Sequence, residues 1–147
     1  MQYITRTAHE TKKLAAKIAE GILKSGPHKK HAKIVALVGD LGAGKTTFTQ
    51  GFAKALGIEH RMVSPTFLIF RSYILNSKSY SLFYHMDAYR IDNSKELKPL
   101  GFKEAIADPK NIFLIEWADK IKAALPKDTI WVHFTHGRKE KERIIAY

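Results

Sequence analysis

Apolar residues recur at helical spacing near the start of the chain. Leu14, Ile18 and Ile22, with Ala15 and Ala19 beside them, define one face of a helix. Thr7 and Glu10 precede this stripe at capping-box spacing, a hydroxyl followed three residues later by a carboxylate. Ser25-Gly26-Pro27 marks its end. The pattern then changes. Residues 34–38 form a short, wholly apolar run between a basic stretch and Gly39, as expected of a strand buried on both faces in a parallel sheet. A second helix is predicted from the glycine-rich turn at Gly44 to Leu56, with Gly57 as its terminator.

Residues 67–75 and 80–86 are rich in β-branched and aromatic side chains, and Asn76-Ser77-Lys78-Ser79 between them predicts a hairpin turn. Residues 94–106 read as a helix interrupted at Pro99 and Gly101. A second all-apolar strand covers 112–115 and ends at Glu116. A short helix over 117–124 stops before Pro126, and 129–134 and 143–147 read as closing strands. Repeats, low-complexity segments and linkers are absent, so residues 1–147 are expected to form one domain. Helices alternating with buried strands make the class α/β.

Composition narrows the function. A hydrophobic fraction of 45%, with eight Phe, six Tyr and two Trp, excludes a disordered or fibrous chain. The absence of cysteine excludes a disulfide scaffold, thiol catalysis and a cysteine-based zinc site. No apolar run approaches the ~20 residues of a membrane span, and the first residues lack the apolar stretch and cleavage site of a secretory signal. The expectation is a soluble, cytoplasmic protein with no membrane partner. Its net charge of +11 suits a nucleic acid, an acidic partner or phosphorylated ligands. The basic residues are spread: Lys12, Lys13, Lys17, Lys24, Lys29, Lys30 and Lys33 precede the first motif, and a mixed run spans 138–143.

Gly39-Asp40-Leu41-Gly42-Ala43-Gly44-Lys45-Thr46 matches G-x-x-x-x-G-K-[ST] in full, with an apolar strand before it and a helix after. Glycines let the backbone curl so that successive amides point at phosphate oxygens, and the helix adds the positive end of its dipole. Lys45 supplies a point charge to the β- and γ-phosphates, and the Thr46 hydroxyl is a ligand for Mg²⁺. Such a loop needs an acid at the end of a neighbouring strand. Two are present, Asp87 after 82–86 and Glu116 after 112–115. Strand ends in a parallel sheet converge on this crevice, so one acid binds the ion while the other orients the attacking water, in either order.

Thr66, within Ser64-Pro65-Thr66, offers a hydroxyl to the γ-phosphate or Mg²⁺ as a switch loop does. Tyr89-Arg90 reads either as recognition residues or as a salt-bridged loop, and Trp117 as a core or helix-start aromatic. His28 and His31, and likewise His133 and His136, are three apart. Neither pair is expected to have a cysteine or a nearby acid to complete a site, so no structural transition-metal site is expected.

Gly-Asp-Leu-Gly-Ala-Gly-Lys-Thr-Thr at 39–47, Ser-Pro-Thr-Phe at 64–67, His-Met-Asp-Ala-Tyr-Arg at 85–90 and Ile-Glu-Trp at 115–117 occur in an order that resembles the TsaE family. These are small bacterial P-loop ATPases needed to make N6-threonylcarbamoyladenosine at position 37 of tRNA. The resemblance spans nearly the whole chain, including the N-terminal helix and the Leu97…Leu100-Gly101 stretch. It implies a P-loop NTPase-like three-layer sandwich, a mostly parallel central sheet with an antiparallel hairpin. It implies ATP held by Leu41, Gly42, Ala43, Gly44, Lys45, Thr46 and Thr47. Thr46 and Glu116 lie at Mg²⁺, Asp87 is needed for hydrolysis, Thr66 belongs to a switch-like segment, and Trp117 is functionally sensitive. The base is expected near residues 7–11. By the same resemblance, the chain does not transfer the threonylcarbamoyl group but docks on a TsaB–TsaD complex, which ATP hydrolysis resets between turnovers. Phe67 stands where many members have Tyr, and the chain is short after Arg143.

Two other readings compete. A small-molecule or nucleoside kinase would bring a substrate-binding insertion and an arginine-rich lid, yet the space between Gly57 and Asp87 is mostly hairpin. An RNA-binding module with incidental ATPase activity draws on the +11 charge and on Phe67, Phe70, Tyr73, Tyr80, Phe83 and Tyr84. Direct tRNA contact is tested by a binding titration at two salt concentrations. No arginine finger is evident, Arg61, Arg71 and Arg90 being the candidates.

Overall fold

The computed structural model describes residues 1–62 and 69–147. The apolar run at 34–38 grows by one residue at each end into β2 (Lys33–Gly39). Around it lie β1 (Gln2–Thr5), β3 (Phe70–Ile74), β4 (Leu82–Asp87), β5 (Asn111–Glu116), β6 (Ile130–His136) and β7 (Arg143–Ala146). All seven strands share one sheet in the order β1-β7-β6-β2-β5-β4-β3. Its centre, β6-β2-β5-β4, is parallel: Val35 faces Leu114 on one side and Ile130 on the other. The edges are antiparallel, β3 on β4 through the expected hairpin and β7 on β6 with β1 outermost.

Alternation along the strands sends side chains into two cores. Val35, Leu37, Ile112, Leu114 and Phe83 pack against α1 (Ala8–Ser25) and α2 (Lys45–Ala55). Ile34, Ala36, Phe113 and Ile115 pack against the opposite layer, made of α3 (Phe102–Ala107) and the 3₁₀ segments Ser94–Leu100 and Ala118–Ala124. This is the expected three-layer sandwich. The first core is dense with aromatics: Phe48 meets Phe134 edge-on, ring centres 5.4 Å apart. The two helices approach closely at Gly51, where an added Cβ would lie 2.5 Å from the Lys12 Cα. The Tyr80 hydroxyl donates to the Ile22 carbonyl at 3.2 Å and ties the hairpin to α1.

Helix α1 starts as its sequence predicts, with Thr7 accepting from the Glu10 amide at 3.1 Å and Glu10 accepting from the Arg6 amide at 2.6 Å. Three details differ from the sequence expectation. The edge strand β1 was not anticipated, because four residues show no pattern without the partner that lies at the other end of the chain. The helix expected over 94–106 divides at Gly101 (φ 72°), and its first half is 3₁₀ and contains Pro99, which has no amide to donate. Trp117 precedes its helical segment in a left-handed conformation (φ 57°, ψ 36°).

Candidate functional site

Strand β2 hands the chain to the loop at 39–44, and that loop feeds the first turn of α2. The turn depends on two glycines, Gly42 (φ 76°) and Gly44 (φ 106°), in backbone regions that side chains disfavour. Gly39 serves a different need. A Cβ there would lie 2.6 Å from the Phe134 carbonyl oxygen, so glycine lets β2 press against β6 as it enters the loop. The Ala43 amide closes the turn on the Asp40 carbonyl at 3.1 Å. Helix α2 has no acidic residue in its first turn, and the amides of that turn lack intrahelical acceptors by construction. The result is a positive pole framed by backbone donors.

Lys45 is buried, 6% exposed, and its ammonium donates to the carbonyls of Gly39 (2.5 Å) and Asp40 (2.9 Å). It also stands 4.3 Å over the Trp117 ring. Burial holds its pKa below the usual lysine range, against the opposing pull of Glu116 first and then Asp40, Asp87 and Asp119. The cation is therefore held at a surplus of negative charge, by weak neutral acceptors it can exchange for phosphate oxygens. Thr46 is exposed at the helix start, Thr47 is half-buried, Ala43 is buried, and Leu41 projects from the loop tip.

The two acids meet as expected. Asp87 and Glu116 are in register at the ends of the adjacent parallel strands β4 and β5, and Glu116 is in register with Leu37 of β2. Period-two alternation puts both on the face that carries α2. Asp87 accepts from the Tyr89 amide at 2.9 Å. Glu116 is 4% exposed, a burial that a carboxylate tolerates only with a partner. The partner is His85, whose Nε2 lies 2.8 Å from Glu116 Oε2. Among the described residues His85 Nδ1 has no hydrogen-bond partner, so Glu116 is the polar contact there that orients the ring. The sequence does contain a trace of this pairing: His85 sits two residues before Asp87 and so shares its strand face.

Two further features escaped the sequence reading. Tyr89 lies against Trp117, ring centres 4.9 Å apart, with the Lys120 ammonium 4.9 Å over Tyr89, so two aromatics lie between two cations, Lys45 and Lys120. Arg143, which was not among the arginine candidates, borders the loop at 39–44, its Cγ 3.9 Å from where a Cβ would stand on Gly44. Its guanidinium donates to the carbonyls of Glu140 and Glu142. Glu142 in turn faces Arg6 at 3.7 Å, which brings the start of α1 alongside. Residues 64–66, with the Thr66 hydroxyl, and Phe67 lie outside the described residues.

The rival platform of hairpin aromatics is not an exposed surface. Tyr80 and Phe83 are buried, and Phe70, Tyr73 and Tyr84 are half-buried against other rings. The expectation that neither histidine pair has a nearby acid fails for one pair. Folding brings Asp128 to His28 and His31, which the roughly hundred residues between them hide in the sequence. Among the described residues no helix is long and apolar enough to cross a membrane.

The donor set fits a hard dication beside a triphosphate. A threonine hydroxyl and two carboxylates offer only oxygen, as Mg²⁺ requires, next to a backbone cradle and a lysine.

Comparison with known proteins points to one family. The sequence model described as "Threonylcarbamoyl adenosine biosynthesis protein TsaE" matches residues 5–145. The tRNA threonylcarbamoyladenosine biosynthesis protein TsaE of Bacillus subtilis is 37% identical over 144 residues, covering 98% of this chain and 83% of that protein. Its namesake in Haemophilus influenzae is 37% identical over 120 residues, covering 82% of this chain and 72% of that protein. The crystal structure of Bacillus subtilis YdiB superposes with a TM-score of 0.71 at 32% identity, covering 99% of this chain and 82% of that one.

Proposed function

The chain belongs to the TsaE family, and from that premise we propose that it binds and hydrolyses ATP with Mg²⁺, in the threonylcarbamoylation of adenosine 37 in tRNA, by acting on a TsaB–TsaD-type complex. One observation carries the reading. A buried lysine, parked on its own loop's carbonyls, stands beside two carboxylates in register on adjacent strands.

In this reading the backbone amides of 41–47 take the phosphate oxygens, and Lys45 leaves Gly39 and Asp40 for the β- and γ-phosphates. Thr46, Asp87 and Glu116 hold Mg²⁺ or its water shell. The ion, when bound, neutralises charge on the phosphate oxygens. His85 holds Glu116 Oε2 at 2.8 Å and so orients the carboxylate that would hold the ion or its water. Water attacks the γ-phosphorus in line, and Lys45 stabilises charge as it spreads over the equatorial oxygens. Arg143 packs its aliphatic stem beside Gly44 while its guanidinium donates to the Glu140 and Glu142 carbonyls.

The purified chain incubated with ATP and Mg²⁺ is expected to release ADP and inorganic phosphate slowly, on the order of 10⁻³ s⁻¹, as P-loop hydrolases without a supplied arginine finger do. Adding the TsaB–TsaD-type complex is expected to raise that rate. A fast rate in the isolated chain, or a phosphorylated small-molecule acceptor in place of free phosphate, overturns the reading in favour of a kinase or an autonomous hydrolase.

A further inference from the structure

At the opposite end of the sheet from the phosphate loop, about 20 Å away at ~3.3 Å per residue of β2, three side chains converge. His28 and His31 lie in the connection between α1 and β2, and Asp128 lies in the turn before β6. We propose that these three residues form a binding site for a divalent transition-metal ion of the zinc or cobalt type.

The donor atoms are already close together, and a turn of one stacked ring would let both imidazoles converge on one ion. His28 Nε2 is 3.5 Å from Asp128 Oδ2, and His31 Nε2 is 3.0 Å from Asp128 Oδ1. A tetrahedral metal with bonds of ~2.0–2.1 Å spaces its ligand atoms about 3.3 Å apart, and each histidine lies near that distance from one of the two Asp128 oxygens. One ligand atom from each residue lies within 4.8 Å of the others. The two imidazoles are stacked, ring centres 3.9 Å apart and planes 17° apart, so both rings present an edge to one carboxylate.

His31 supplies the strongest argument. Its Nδ1 is 2.8 Å from the Ala32 carbonyl, and its Nε2 faces the carboxylate. Both neighbours are acceptors. With Nδ1–H donated to Ala32, the axis between Nε2 and Oδ1 has to hold a positive species, either a proton or a metal ion. A carbonyl that fixes the far nitrogen is also the usual outer support of a metal-bound histidine. Two imidazoles and one carboxylate suit zinc, cobalt or nickel better than magnesium. The side chains are 33%, 20% and 50% exposed for His28, His31 and Asp128, which leaves the remaining coordination positions to water. Two features oppose loading. The Lys30 amide donates to His28 Nδ1 at 3.1 Å, a bond given up when His28 coordinates through Nε2, and Lys29 and Lys30 add positive charge. The affinity expected is accordingly micromolar, weaker than that of a buried structural site. Loading would clip the α1–β2 connection to the turn that starts β6.

The test uses the full chain without a polyhistidine tag, with excess Mg²⁺ present to occupy the acids of the phosphate loop. Titrated Co²⁺ is expected to bind one ion per chain, to give visible absorption typical of imidazole coordination, and to be displaced by Zn²⁺. His31→Gln and Asp128→Asn should each weaken binding by at least about tenfold, while Glu116→Gln leaves it unchanged. Paramagnetic broadening by Co²⁺ in the unmutated chain is expected at residues 28–32 and 126–130, a readout that does not depend on a variant folding. Absence of stoichiometric binding, binding that survives both substitutions, or broadening centred on residues 39–46 overturns the proposal.

Discussion

Lys45→Ala is expected to weaken ATP binding roughly 10- to 150-fold, the equivalent of ~1.5–3 kcal/mol for charge-assisted hydrogen bonds. Hydrolysis is expected to fall further, by about 10²–10³, because the same ammonium stabilises charge that develops only in the transition state. Calorimetry and phosphate release measure the two effects separately. The fold should survive, since the ammonium is held by loop carbonyls and the Trp117 face and not by the core. There is also a signature in pH. Burial sets the Lys45 pKa in the folded chain below its ordinary 10.5, so between the lowered value and 10.5 the unfolded chain binds more protons. Stability contributed by this residue therefore rises with pH across that window, and the rise disappears in the alanine variant. Denaturant melts at graded alkaline pH read the difference. ATP binding at unmutated strength in Lys45→Ala would remove the loop from the mechanism.

Glu116→Gln is expected to lower the hydrolysis rate by about 10²–10⁴, the range for a positioned general base or metal ligand, with nucleotide affinity changed only a few-fold. Asp87→Asn should act in the same direction. His85 separates position from chemistry, because it reaches the reaction only through Glu116. His85→Ala should reduce kcat and raise the Mg²⁺ concentration needed for half-maximal rate, while His85→Gln, which keeps a donor, should recover part of both. Unchanged hydrolysis in both acid variants would end the assignment of these strands to the catalytic centre.

The layer structure was legible in the sequence wherever burial imposes a pattern. The wholly apolar runs at 34–38 and 112–115 became the two central strands, and the Leu14–Ile18–Ile22 stripe became the inner face of α1. The loop was legible because phosphate geometry fixes its internal spacing, and the acids because each ends a run with strand character. What stayed hidden depends on contacts between distant residues. β1 exists through its pairing with β7 across the whole chain. Asp128 reaches His28 and His31 only because β2 and β6 run side by side and start together. His85 looked like another residue of a buried strand until Glu116 appeared opposite it. The 3₁₀ segments escaped because local propensity does not distinguish them from α-helix.

The left-handed backbone at Trp117 turns its indole toward the ammonium of Lys45, 4.3 Å from the ring centre. The other tryptophan, Trp131, stands near the start of β6, at the far end of the sheet. Indole emission responds to a charge moving on or off its face. If phosphate draws Lys45 off that face, as the proposed function requires, the indole is a built-in fluorophore that follows ligand arrival by light without an attached dye.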